Sequence, residues 1–114
     1  MKYLLLQYTN EAAMLSLPRE EAGQMYGAYM AYVEAMTAAD VLRGNHGLRP
    51  TAEAVTLRAP GGVQSVVNGP FAETKEQLGG YFLIEVADLD AALAWAARCP
   101  GAAHGAIEVR PVWG

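Results

Sequence analysis

From Ala22 to Val33 (AGQMYGAYMAYV) the chain carries no charged residue, although the surrounding stretch has helical periodicity. Met25, Tyr29, Tyr32, Val33 and Met36 recur at steps of three and four, which draws one apolar stripe along a helix. The other side offers Gly23, Gly27 and Ala31 at spacing four instead of the charges a wetted face normally carries. Small residues let another backbone approach closely. This pattern predicts a helix covered on more than one side, by its own sheet or by a second copy of the chain. Ser16-Leu17-Pro18-Arg19-Glu20-Glu21 reads as its start: Ser16 as N-cap, Pro18 in the first turn, and acids at the positive end of the helix dipole. The helix runs to about Ala39.

The remaining elements follow from shorter signals. Lys2 to Tyr8 is apolar except at Gln7 and suits a strand buried on both faces. Met14, Leu15 and Leu17 fall in a linker. Val41 to Pro50 is punctuated by glycine and suits a short edge strand. Glu53–Ala59 and Val63–Val67 form a hairpin across Pro60-Gly61-Gly62, which Asn68-Gly69-Pro70 ends. Phe71–Leu78 is a polar loop or single helical turn, and Gly80–Val86 is a strand. Asp88 caps a helix over Leu89–Arg98 with Leu89, Ala92, Leu93 and Ala96 inward, stopped by Pro100-Gly101. Ala106–Trp113 is the last strand, with Ile107 and Val109 inward and Glu108 and Arg110 outward. Without the hairpin the order is β-α-β-β-α-β. That order predicts an α+β sandwich: an antiparallel sheet with two helices on one face and an inserted β-hairpin. The second sheet face then needs a cover, which favours a homodimer.

Composition narrows the function classes. At 114 residues the chain suits one domain spanning 1–114. Hydrophobic residues are 53% and charged residues 18% of the chain, against about 25% charged in an average globular protein. Disorder is excluded, and an uncharged surface that seeks a partner is expected. With 12 acidic and 8 basic residues the net charge is −4, which argues against a nucleic-acid partner. A lone cysteine, Cys99, forbids an internal disulfide and suits a reducing compartment. The opening MKYLLLQYTN is too short for a signal peptide. No apolar run approaches the ~18 residues that span a bilayer. A cytoplasmic protein with no membrane partner is expected.

The most distinctive segment is NGPFAETKEQLGGYFLIEV, from Asn68 to Val86, followed by DLDAALAWAARCP and IEVRP. With MKYLLLQY and GNHGLRP, it closely resembles the DGPF-domain branch of the YCII-related family along essentially the whole chain. The resemblance implies a dimeric, ferredoxin-like α+β fold without an established reaction. Many DGPF proteins are encoded beside extracytoplasmic-function sigma factors. The wider family's His–Asp pair implies enzymatic activity, but the name-giving Asp is Asn68 here, and the first helix has no histidine. Asn68 cannot act as a base, nor raise a histidine's pKa as a carboxylate would.

Read on their own chemistry, the loop residues Asn68, Gly69, Pro70, Phe71 and Lys75 suit ligand binding: a stiff turn, an aromatic wall and polar groups together. His46 is an acid–base candidate because histidine changes charge near neutrality. Glu73, Tyr81 and Arg110 complete the catalytic set, with Arg110 suited to a carboxylate or phosphate. His104 is expected on the surface, Cys99 inert, and Trp95 and Trp113 packed. There is no metal-ligand spacing, P-loop, GxSxG or dinucleotide fingerprint, so no metal or cofactor is expected. Two function classes remain: a small-molecule enzyme with acid–base chemistry in a pocket at the dimer interface, or a non-catalytic ligand-binding or protein-interaction module, accessory to a sigma factor.

Overall fold

A computed structural model describes residues 1–114. In chain order it contains β1 (Lys2–Thr9), α1 (Glu11–Leu15), α2 (Arg19–Ala38), β2 (Leu42–Gly47), β3 (Val55–Arg58), β4 (Ser65–Asn68), β5 (Gln77–Glu85), α3 (Leu89–Arg98) and β6 (Gly105–Pro111). Four strands form an antiparallel sheet in the order β2-β5-β1-β6, and β3 and β4 form a separate two-stranded sheet. Mixed α and β elements on an antiparallel sheet in this order are compatible with the expected ferredoxin-like fold.

Register assigns the two faces of the sheet. Residues paired across antiparallel strands project to the same side. Tyr3 pairs with Ile84 and Leu5 with Phe82; all four are buried and pack with Tyr32 and Met36 of α2 and Ala92 and Ala96 of α3. Both helices therefore lie on one face. Tyr32 donates to the Trp95 carbonyl at 2.7 Å, locking α2 to α3. Its ring meets Phe82 edge-on, with centroids 5.2 Å apart, a favoured aromatic geometry.

Several boundaries differ from the sequence reading for local reasons. The expected linker after β1 contains α1, whose first turn is capped by Asn10 accepting from the Ala13 amide at 3.0 Å. Ser16 does not cap α2. It closes α1, its hydroxyl donating to the Ala12 carbonyl at 2.8 Å, and Pro18 takes the cap position of α2 without a side-chain bond. The third sheet strand begins at Gln77 rather than Gly80 because Leu78 and Gln77 continue the ladder to Tyr8 and Thr9 past a register slip at Gln7/Tyr8. On α3 the inward set is Ala92, Trp95, Ala96 and Cys99, while Leu89 and Leu93 are exposed; the alanines let α3 lie close, and Trp95 fills the gap. Trp113 is fully exposed rather than packed.

The chain is open. Only 12 of 114 residues are buried, and the radius of gyration is 15.9 Å, where a compact domain of this length has about 13 Å. The hairpin contributes much of this: Val55, Leu57, Val66 and Val67 are all more than half exposed. The row Gly23, Gly27, Ala31 on α2 is exposed too, so the chain's own sheet does not provide the cover its sequence predicts. No helix is long and apolar enough to cross a membrane.

Candidate active site

His46 on β2 and Tyr81 on β5 are direct partners in the ladder. They project to the face away from α2 and α3, because Phe82, the next residue, is buried on the helix side. His46 Nδ1 lies 2.9 Å from the Tyr81 hydroxyl, with ring centroids 5.7 Å apart. Gly80 makes this approach possible. A Cβ there would sit 2.9 Å from the His46 carbonyl oxygen and 3.3 Å from Gly47 Cα, so a side chain would push the end of β2 away.

The same row continues across the sheet. Tyr81 pairs with Leu6, and Leu6 with Glu108. Tyr8 donates its phenol to Glu108 Oε1 at 3.2 Å. Arg110 donates from Nε to Glu108 Oε2 at 3.1 Å, with a second, shorter contact from Nη2. The guanidinium holds the Glu108 carboxyl below its usual range, and Glu108 raises Arg110 in turn. Burial, then the Glu108 hydrogen bond and charge, push the Tyr8 phenol up. Arg110 is therefore neutralised within its own strand, and an anionic ligand would have to compete with Glu108.

The loop after the hairpin is bonded to the hairpin. Asn68 ends β4 opposite Val55 and is exposed. Gly69 adopts φ 112, conformational space open to glycine. Its amide donates to the Ala54 carbonyl at 2.7 Å, and its carbonyl accepts from Thr56 Oγ1 at 2.8 Å. Gly69 thus fastens the loop to the hairpin base. Phe71 is 74% exposed with the Arg58 guanidinium 4.9 Å from its ring centroid, a cation–π contact. Glu73 and Lys75 are exposed and make no ion pair. Of the four predicted acid–base residues, the structure joins His46 to Tyr81, places Arg110 on the same sheet face two strands from Tyr81, and gives Glu73, exposed in the loop before β5, no hydrogen bond or ion pair with any of them.

Between α2 and the β2–β5 edge lies a cleft of about 490 Å³, a volume suited to a small organic molecule. Met14, Met25, Met30, Tyr29 and Phe82 supply apolar wall, Gln7 and Asn45 supply amides, and His46 and Tyr81 border it as well. None of its lining residues is Asp, Glu, Lys or Arg. Tyr29 donates its phenol to Gln7 Oε1 at 2.6 Å, and Cys99 Sγ lies 3.4 Å from the same oxygen. Burial pushes both the Tyr29 phenol and the Cys99 thiol up, which keeps them protonated. Gln7 and Asn45 escaped the sequence reading. The signal for Gln7 was present, since it is the one polar interruption of an apolar strand; Asn45 offered none.

The YCII-related domain model matches residues 1–114. An uncharacterized protein of Rhizobium meliloti (strain 1021) is 41% identical over 118 aligned positions, covering 98% of this chain and 92% of that protein. Among solved structures, the fold is similar to 5-chloro-2-hydroxyhydroquinone dehydrochlorinase from Burkholderia phenoliruptrix AC1100 in complex with 2,5-dihydroxybenzoquinone. That match has a TM-score of 0.56 at 18% identity and covers 100% of this chain and 94% of the other.

Proposed function

This chain belongs to the YCII-related domain family, and from that premise we propose that it is a cytoplasmic small-molecule enzyme whose acid–base pair is His46 and Tyr81. The observation that carries the reading is the 2.9 Å approach of His46 Nδ1 to the Tyr81 hydroxyl on the open sheet face, at β2 and β5 positions that also line a cleft of about 490 Å³ between α2 and the sheet edge. As Nδ1 takes the Tyr81 proton, the phenol oxygen can take one from the substrate, and the imidazolium so formed can return one from Nε2, as general acid–base chemistry requires. The similarly folded dehydrochlorinase acts on a hydroxylated ring, which is compatible with such chemistry. Asn68 does not replace the family's Asp as a base; it serves the turn before Gly69.

A homodimer belongs to the same proposal. Leu4, Leu6, Tyr8, Tyr81 and Leu83 share the sheet face that neither α2 nor α3 covers. Apolar sheet surface of this kind is stabilised by packing against a second layer. A second copy supplies that layer and brings more protein around the His46–Tyr81 pair, including the partner's outer loop.

The test is proton exchange, which is read on the ligand itself whatever the product. Ligands found by thermal shift among small phenols, ketones and acids are incubated with the protein in deuterated water. Wild-type protein exchanges a carbon-bound proton of at least one ligand, and His46→Ala and Tyr81→Phe abolish that exchange while retaining binding. Binding with no exchange in wild type supports the non-catalytic ligand-binding module instead. Light scattering at micromolar concentration checks the dimer, and a monomer there removes the second-copy part of the reading.

A further inference from the structure

We propose that the cleft between α2 and the β2–β5 edge selects a flat, uncharged, mainly apolar molecule carrying a carbonyl or hydroxyl oxygen, and that the amides of Gln7 and Asn45 hold that oxygen. The inference rests on the cleft being the ligand site of the enzyme proposed above. It adds what the cleft takes.

Charge comes first. The lining holds no Asp, Glu, Lys or Arg, and its one histidine, His46, is already engaged by Tyr81, so an ion finds little to pair with, and desolvating an unpaired charge is costly. Arg110, the cation the sequence suggested for an anionic ligand, is held by Glu108 on the far part of the sheet face. Shape comes second. Tyr29 and Phe82 lie nearly parallel, 7° apart in plane with centroids 6.4 Å apart, and Met25 and Met30 lie along the same cleft. Polarizable thioethers against aromatic faces suit a flat ring.

Polarity comes third. Gln7 Oε1 is already used by Tyr29 and Cys99. That bonding fixes the amide's orientation, so its nitrogen is the group left to donate; it makes no hydrogen bond within the chain. The Asn45 side chain likewise has no protein partner, and its ladder pairing with Phe82 turns it to the helix side, where the cleft is. Both residues are half-buried. Two donors without partners in a mainly apolar cleft call for an acceptor oxygen on the ligand.

Prodan, a neutral naphthyl ketone whose fluorescence reports its surroundings, is titrated against the full chain beside anionic anilinonaphthalene sulfonate. Prodan binds about 10-fold more tightly than the sulfonate, and Asn45→Leu and Gln7→Met each weaken prodan by about 5- to 10-fold, the worth of one hydrogen bond to a ligand oxygen. Asn45→Leu sits on an edge strand and Gln7→Met on a central one, so the first keeps the test open if the second fails to fold. Equal or tighter binding of the sulfonate, or prodan affinity unchanged in Asn45→Leu, overturns the proposed ligand class. Ala22→Trp, which fills the cleft from exposed helix surface, separates the two levels. Loss of prodan binding there, with the amide variants unaffected, keeps the site and rejects its selectivity. Prodan binding untouched by Ala22→Trp rejects the site itself.

Discussion

Nδ1 of His46 and the hydroxyl of Tyr81 stand 2.9 Å apart across the β2–β5 ladder, their rings tilted 47° to each other. The two residues are 35 positions apart in sequence, and only strand pairing brings them together. A phenol donates more readily than it accepts in this geometry, so the neutral ring keeps its proton on Nε2. Tyr81→Phe removes that bias. Long-range proton–nitrogen spectra of the His46 ring show the Nε2–H tautomer dominant in wild type and a mixture in the variant. An unchanged distribution means the bond is not made in solution.

Gly80 tests the same pair through the backbone. A methyl group there meets the His46 carbonyl oxygen at 2.9 Å, a backbone atom that can move only if β2 moves. Gly80→Ala costs about 1–3 kcal/mol in denaturant unfolding, in the range typical of strained or overpacked sites. It also erases the His46 tautomer bias without touching either side chain. Gly79→Ala is the control, since a Cβ there meets no atom closer than 3.9 Å.

Glu108 sets an acid limit. Its carboxyl titrates below the ordinary value of 4.5, chiefly because Arg110 hydrogen-bonds to it. A folded pKa below the unfolded one stabilises the fold above the unfolded value and ceases to do so as pH falls through the folded one. The thermal midpoint of wild type therefore exceeds that of Glu108→Gln at neutral pH, and the gap closes as pH is lowered through and below 4.5. A gap that stays constant into acid removes the Glu108–Arg110 pair as its cause.

Tyr32 and Cys99 set the alkaline limit. Burial raises both above their ordinary values of 10.0 and 9.0. The neutral forms stabilise the fold fully below those values, and stability is lost as pH rises past them, because the unfolded chain ionises first. The native thiol stays protonated and buried at neutral pH, so Cys99 reacts with an aromatic disulfide reagent only at the rate of unfolding. Rapid reaction in native buffer contradicts the packing against Gln7 and Tyr29.

Much of the fold was legible because its signals are local. Asp88 accepting from the Ala91 amide at 2.9 Å, the alternation of Glu108 and Arg110 with Val109, and the turn residues of the hairpin each depend on neighbours a few positions away. The boundaries that moved were settled by contacts from elsewhere. Gln77 joined the sheet because Thr9 was there to pair with it, and Leu89 and Leu93 stayed outside because Tyr32 anchors α3 through the Trp95 carbonyl.

The amino-acid order by itself determined most of the strands and the two long helices, their antiparallel arrangement, and an excess of apolar surface that one copy leaves open, because periodicity and capping act over a few residues. Which polar groups meet was decided only by the tertiary structure. Ladder register put His46 against Tyr81 and Tyr8 within reach of Glu108, while Glu73 gained no hydrogen bond or ion pair with any of them; the closing of α2 over Gln7 and Asn45 shaped the cleft. Such meetings depend on distances between segments far apart along the chain, and those distances exist only once the sheet has formed.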